Sequence, residues 1–127
     1  MSKNNVLLVA GSREIDRHVH EIGDLISTAR VTLASVTPLV FHTLLHGGAR
    51  GVDTIAGDWA RRRGFEVKVM PADWDQYGKA AGMIRNKEMV EAADAAIVIW
   101  NGRSSGTKST IDLLVHHMRP HVVCVLP

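Results

Sequence analysis

Five short apolar runs constrain this chain more than any other feature: "VLLVA" at 6–10, "VFHTLLH" at 40–46, "EVKVM" at 66–70, "AAIVIW" at 95–100 and "HVVCVL" at 121–126. Most are apolar at consecutive positions rather than alternate ones, the pattern of strands covered on both faces. The segments between them carry a helical period. Val19, Ile22, Ile26, Ala29 and Leu33 form one stripe, Val52, Ile55, Ala56, Trp59 and Ala60 a second, and Ile111, Leu114, Val115 and Met118 another. A less regular set, Met83, Ile84, Met89, Val90 and Ala93, marks a further helix over about 80–93. Strand and helix in strict alternation imply a parallel sheet with right-handed crossovers. The expected fold is therefore α/β: a single Rossmann-like three-layer sandwich with four helices and a five-stranded parallel sheet of order 3-2-1-4-5, in one domain spanning 1–127. The stretch "PADWDQYGKAAG" (71–82) is expected to be an irregular, functional loop.

Composition removes several function classes. At 127 residues with 46% hydrophobic and 22% charged residues, the chain can hold a core without staples. A net charge of +2 gives no general basic character for nucleic acid, so any cationic function must be local. The single cysteine, Cys124, permits no internal disulfide and no cysteine zinc cluster. It sits in "VVCVL" and reads as an inert core thiol. The seven histidines show no HExxH or comparable spacing, so no metal is expected. No GxGxxG follows the first strand, and no cofactor is expected. The N-terminal apolar stretch is too short for a signal peptide and no run approaches a membrane span, which points to a cytoplasmic protein without membrane contact.

In a parallel sheet the loops after the strands share one edge, and ligands bind there where the strand order reverses. Three such loops are small and polar: "AGSREID", "HGGARGVD" and "WNGRSSGTKS". Gly11, Gly47, Gly48, Gly51 and Gly106 would let backbone amides approach a ligand or let the chain take positive φ. Helices starting near Asp53 and near Thr107 would present unpaired amides to an anion. Arg50 and Lys108 at these starts oppose the helix dipole, which a bound anion would offset; Arg13 lies on the same edge. Arg85 suits a phosphate. The neighbouring Asn86 has two readings, a loop-tying hydrogen bond or a ligand contact. Trp74 and Tyr77 either stack on a base or pin the loop. Trp59 and Trp100 read as packing.

The segments "GSR", "GGARGVDTIAGDWA", "PADWDQYGKAAGMIRNKEM" and "SSGT" together resemble the SLOG superfamily of Rossmann-like domains, which includes DprA and the lonely-guy phosphoribohydrolases, and most of all its YspA-like branch in bacteria and phages. The resemblance covers nearly the whole chain and implies binding of nucleotides or nucleotide-derived ligands. In the lonely-guy enzymes a PGGxGTxxE motif carries the phosphate site and a catalytic glutamate, with an upstream arginine also required. Here that arginine corresponds to Arg85, "GT" to Gly106 and Thr107, and the glutamate to Thr110, while "NGRSS" replaces the proline and paired glycines. The phosphate-binding part carries over and the acid–base part does not, because a threonine hydroxyl cannot serve as the carboxylate at neutral pH. Asp112 faces away from Thr110, and Asp53 and Asp73 are the other carboxylates to consider.

The resulting expectation is a sensor or binding module. Ser12, Arg13, Gly47, Gly48, Arg50, Gly106, Thr107 and Lys108 grip phosphate, Arg85 adds charge, and Asp53 ties the second loop or reaches a ribose hydroxyl. The alternatives are a nucleoside-monophosphate phosphoribohydrolase using Arg85, and single-stranded DNA binding, which low net charge and few aromatics oppose. The first helix, with its near-heptad stripe, is a candidate interface for a homo-oligomer.

Overall fold

The structure is a computed structural model that describes residues 5–15 and 19–126. Strands β1 (Asn5–Gly11), β2 (Phe41–His46), β3 (Glu66–Val69), β4 (Ala95–Trp100) and β5 (His121–Val125) form one sheet of order β3-β2-β1-β4-β5. Every adjacent pair is parallel. The sheet is the five-stranded, 3-2-1-4-5 arrangement that the apolar runs imply, with the order reversing between β1 and β4.

Continuous apolar runs have a direct use here, since successive side chains point to opposite faces. Leu7 and Val9 of β1 join Ile97 and Ile99 of β4 in a core under helices α1 (Val19–Ala34) and α2 (Val52–Arg62). The intervening Leu8, Ala10, Ala96 and Val98 pack on the other face with Met89 and Val90 of α4 (Ala81–Ala92) and Leu114 of α5 (Ser105–His116). Trp59 is buried, with its indole N–H donating to Ser27 Oγ at 3.1 Å. Trp100 is part-buried and ties α5 to the sheet by donating to the Ser104 carbonyl at 3.0 Å.

Two expectations need correction. The stretch 71–82 is largely ordered into a short helix α3 (Trp74–Tyr77), a 3-10 turn (Gly78–Ala80) and the start of α4. Asp73 caps α3 by accepting the Gln76 amide at 3.1 Å, a local bond that composition alone does not show. Second, α5 stops at His116; Met118 takes φ 53 and is 87% exposed, so it leaves the apolar stripe, and Val115 also faces outward. Ile22, Ile26, Ala29 and Leu33 of α1 are all buried in the chain's own core. The side chain of Val19 lies outside the described residues.

Candidate functional site

The turns after β1, β2 and β4 meet at the carboxyl edge of the sheet and are bonded to one another. The Ser12 amide donates to the Ile99 carbonyl at 3.0 Å, and Ser12 Oγ accepts the Asn101 amide at 3.1 Å and lies 3.4 Å from Thr107 Oγ1. Arg85, from α4, donates through Nη1 to the Gly47 carbonyl at 2.7 Å and through Nε to Asn86 Oδ1 at 2.9 Å. Four chain segments thus share one rim, and between them lies a cleft of about 690 Å³, the size of a small-molecule site.

Five cationic side chains reach this cleft, Arg13, Arg50, Lys79, Arg85 and Arg103, against two carboxylates, Glu14 and Asp53. Arg50 is paired with Glu14 at 3.0 Å, an exposed contact that water screens. Arg13, Lys79 and Arg103 have no ion-pair partner among the described residues. The first turn of α5 supplies Ser105, Gly106 and Thr107 to the same wall. The lining also includes Met83, Met89 and the half-exposed Trp74, apolar side chains of the kind on which a flat ring packs.

The second turn explains its three glycines. Gly48 and Gly51 have φ of 75° and 81°, which a side chain at Cβ disfavours. Gly47 serves another purpose: a Cβ there would lie 2.6 Å from Arg85 Nη1, so its absence is what admits the guanidinium. The amides of this turn are already engaged. Asp53 Oδ2 accepts from Gly47 N at 3.0 Å and Ala49 N at 3.1 Å, and the Gly48 amide donates to His46 Nδ1 at 3.0 Å. A phosphate could take the Gly47 or Ala49 amide only by displacing the Asp53 carboxylate, and the Gly48 amide only by displacing the His46 imidazole.

Several residues expected to grip the ligand therefore have other tasks. Ser12 is 1% exposed, its hydroxyl is used in joining two loops, and it is not in the cleft wall. Gly47, Gly48 and Gly51 shape the turn but are not in the cleft wall. Lys108 points away, paired with Asp112 at 3.1 Å one helical turn on. Tyr77 lies outside the wall, and the Asn86 carbonyl is occupied by Arg85. Gly11, Arg13, Arg50, Asp53, Trp74 and Arg85 do line the cleft, as do Asn86, Gly106, Thr107 and Thr110. Thr110 donates to the Gly106 carbonyl of its own helix at 3.3 Å.

Sequence reasoning passed over Arg103, Asn101 and Lys79, all in the cleft wall. The signal for two of them was present in "NGRSSG". An asparagine before a glycine favours a side-chain-closed turn. Asn101 Oδ1 makes it, accepting from the Arg103 and Ser104 amides at 2.9 and 2.8 Å, and so sets Ser104 to cap α5.

Burial pushes the Asp53 carboxyl above the usual carboxylate range, and the Ala49 amide, the Arg85 charge, the Gly47 amide and Arg13 pull it partly back. Burial, and then the Arg61 charge, hold the His46 imidazole below its ordinary value, with Asp58 acting in the opposite sense. A neutral His46 is what the Gly48 amide needs as an acceptor. The folded state thus binds this proton more weakly than the unfolded chain, so His46 contributes stability at neutral pH that is lost as pH falls below about 6.5. The raised Asp53 carboxyl acts with the opposite sign, gaining stability on acidification, and is common to wild type and variant. In His46→Asn the amide oxygen replaces Nδ1 without titrating. Its melting temperature is expected to fall less than that of the wild type between pH 7 and pH 5.5; parallel curves would contradict the assignment. Burial raises the Cys124 thiol above its ordinary value, consistent with an unreactive side chain.

The chain is a doubly wound parallel α/β protein with a cleft rich in cationic residues at the carboxyl edge of its sheet. Residues 5–77 match the sequence profile of the YAcAr family, described as the YspA, cpYpsA-related SLOG family, and the chain belongs to that family. The match covers β1 to α3 and leaves Arg85 and the α5 side of the cleft beyond it. The chain is 49% identical over 71 residues to the Gene 61 protein of Mycobacterium phage D29, across 51% of this chain. It spans 57% of that relative's length. No solved structure matches. No described helix is long and apolar enough to cross a membrane, and the described residues contain no group of three or more His, Cys, Asp or Glu placed to hold a metal.

Proposed function

We propose that the protein is a cytoplasmic binding module or sensor for a nucleotide or nucleotide-derived phosphorylated ligand, held in the cleft at the carboxyl edge of the sheet. Family membership supports a nucleotide-related role. The observation that carries the reading is the composition of one wall. Arg13, Arg103 and Lys79, without ion-pair partners among the described residues, line the same cleft of about 690 Å³ as the first turn of α5 and the half-exposed Trp74. Phosphate goes to the cations and the helix start, where charge and dipole act together. The base goes against Trp74.

Calorimetry with a panel of nucleoside mono-, di- and triphosphates tests this. Binding in the micromolar range is expected for at least one, weakening as salt is raised because the cations are exposed. Arg103→Ala should weaken it about tenfold, the value of one charge-assisted contact. A panel without heat or thermal shift would overturn the proposal.

The phosphoribohydrolase reading has less support. Thr110 is engaged with its own helix, Asp73 caps α3 outside the cleft wall, Glu14 is paired with Arg50, and Asp53, the other carboxylate of the wall, is committed through Oδ2 to the Gly47 and Ala49 amides. Chromatography for free base released from nucleoside monophosphates decides between the two readings, with no release expected.

A further inference from the structure

Asp53 is 6% exposed, yet the described residues use only one of its two oxygens. Oδ2 takes both the Gly47 and the Ala49 amides. Among the described residues Oδ1 has no hydrogen-bond partner, and none of their side-chain oxygens or nitrogens is both fully buried and unpartnered. Asp53 lines the cleft, so Oδ1 is open to it. A carboxylate kept more than nine-tenths buried, with one oxygen left for an occupant, is a built acceptor site.

We infer that Asp53 Oδ1 receives a hydroxyl of the ligand's sugar, and that the cleft therefore selects ribonucleotides over their dideoxy counterparts. An ionised carboxylate only accepts hydrogen bonds, so its occupant must be a donor. The donor is neutral rather than cationic, because the charges of Arg85 and Arg13 already bear on this carboxylate and would repel an ammonium group. The anionic end of the ligand is excluded from the same place, since the carboxylate's own charge repels it and its Oδ2 already holds the Gly47 and Ala49 amides. It belongs on the α5 side, with Arg103 and the helix start. A single ligand with an anion at one end and a hydroxyl donor next to it is a phosphorylated sugar. Asp53 thus performs two tasks, one oxygen holding the glycine turn and the other reading the sugar.

This inference rests on the nucleotide reading, and its test separates the two. Calorimetry at one ionic strength compares AMP, GMP, CMP and UMP with their 2′,3′-dideoxy forms. In the wild type the best-bound ribonucleotide should bind about tenfold tighter than its dideoxy form, the effect of one hydrogen bond to a charged group. In Asp53→Asn, which can still accept the turn amides, the preference should fall to about threefold or less with the melting temperature within a few degrees. Equal binding of ribo and dideoxy forms by the wild type overturns the inference while leaving nucleotide binding intact. A preference unchanged in Asp53→Asn overturns it in favour of another acceptor. Absence of binding by all eight compounds overturns it together with monophosphate binding, and needs no variant to fold.

Discussion

Arg85→Ala is expected to abolish measurable nucleotide binding while leaving a folded protein. The guanidinium does two things at once. It braces the second turn through the Gly47 carbonyl at 2.7 Å and is fixed by Asn86 at 2.9 Å, and it brings positive charge beside Asp53 in the cleft wall. Removing it leaves a carbonyl without its partner and a buried carboxylate with less compensation, about 1–3 kcal/mol of stability. On the proposed function, the same change also takes positive charge out of the cleft wall and lets the turn that frames the ligand relax. Two such effects together exceed a tenfold loss, beyond detection for a micromolar ligand. Arg85→Lys should recover little, because an ammonium on a flexible stem cannot span the Gly47 carbonyl and Asn86 as a planar fork does. Calorimetry paired with thermal melting reads both quantities. Undiminished affinity in Arg85→Ala would show that the cleft wall is not the binding surface.

The largest effect on stability is expected from Gly11→Ala, at the end of β1. A Cβ there would lie 2.6 Å from both Cβ and Cγ2 of Val52 and 2.7 Å from the Ile99 carbonyl oxygen. Neither neighbour can yield easily: Val52 is fully buried in the first turn of α2, and Ile99 belongs to the interior strand β4, paired on both sides. Overpacking of this kind costs about 1–3 kcal/mol or more, which lowers the melting temperature of a domain this size by roughly 4–12 °C. Gly106→Ala provides the contrast. Nothing lies within 4 Å of its added Cβ, and the position is in the first turn of α5. Its stability should be unchanged or slightly raised, because alanine is the better helix former. Its ligand affinity should fall, because the new methyl enters the cleft. Equal melting temperatures for the two alanine variants would refute the packing argument.

The two glycines illustrate what a sequence conceals. Both stood out as candidates for close approach to a ligand and both border the cleft, yet Gly11 is also required to make room for Val52 of α2, while Gly106 has open space around it. Likewise Arg50 and Lys108 looked like unpaired cations at helix starts. Arg50 meets Glu14, 36 residues away, and Lys108 meets Asp112 on its own helix. That second pair was readable from the i,i+4 spacing; the first was not. Asp53 was legible as a residue that either ties the turn or reaches a sugar. The division of labour between its oxygens was not, because it depends on how far the turn folds back over α2.

What the sequence alone determined is the α/β class, the strand order and the edge at which the turns meet. Apolar period is a local property, and the handedness of crossovers leaves few ways to arrange five parallel strands. Only the tertiary structure decided which polar groups remain free for a ligand. That outcome depends on bonds such as Arg85 to Gly47 and Ser12 to Asn101, which join residues 38 and 89 positions apart. Such partners are chosen by distance and direction in space, and no spacing along the chain encodes them.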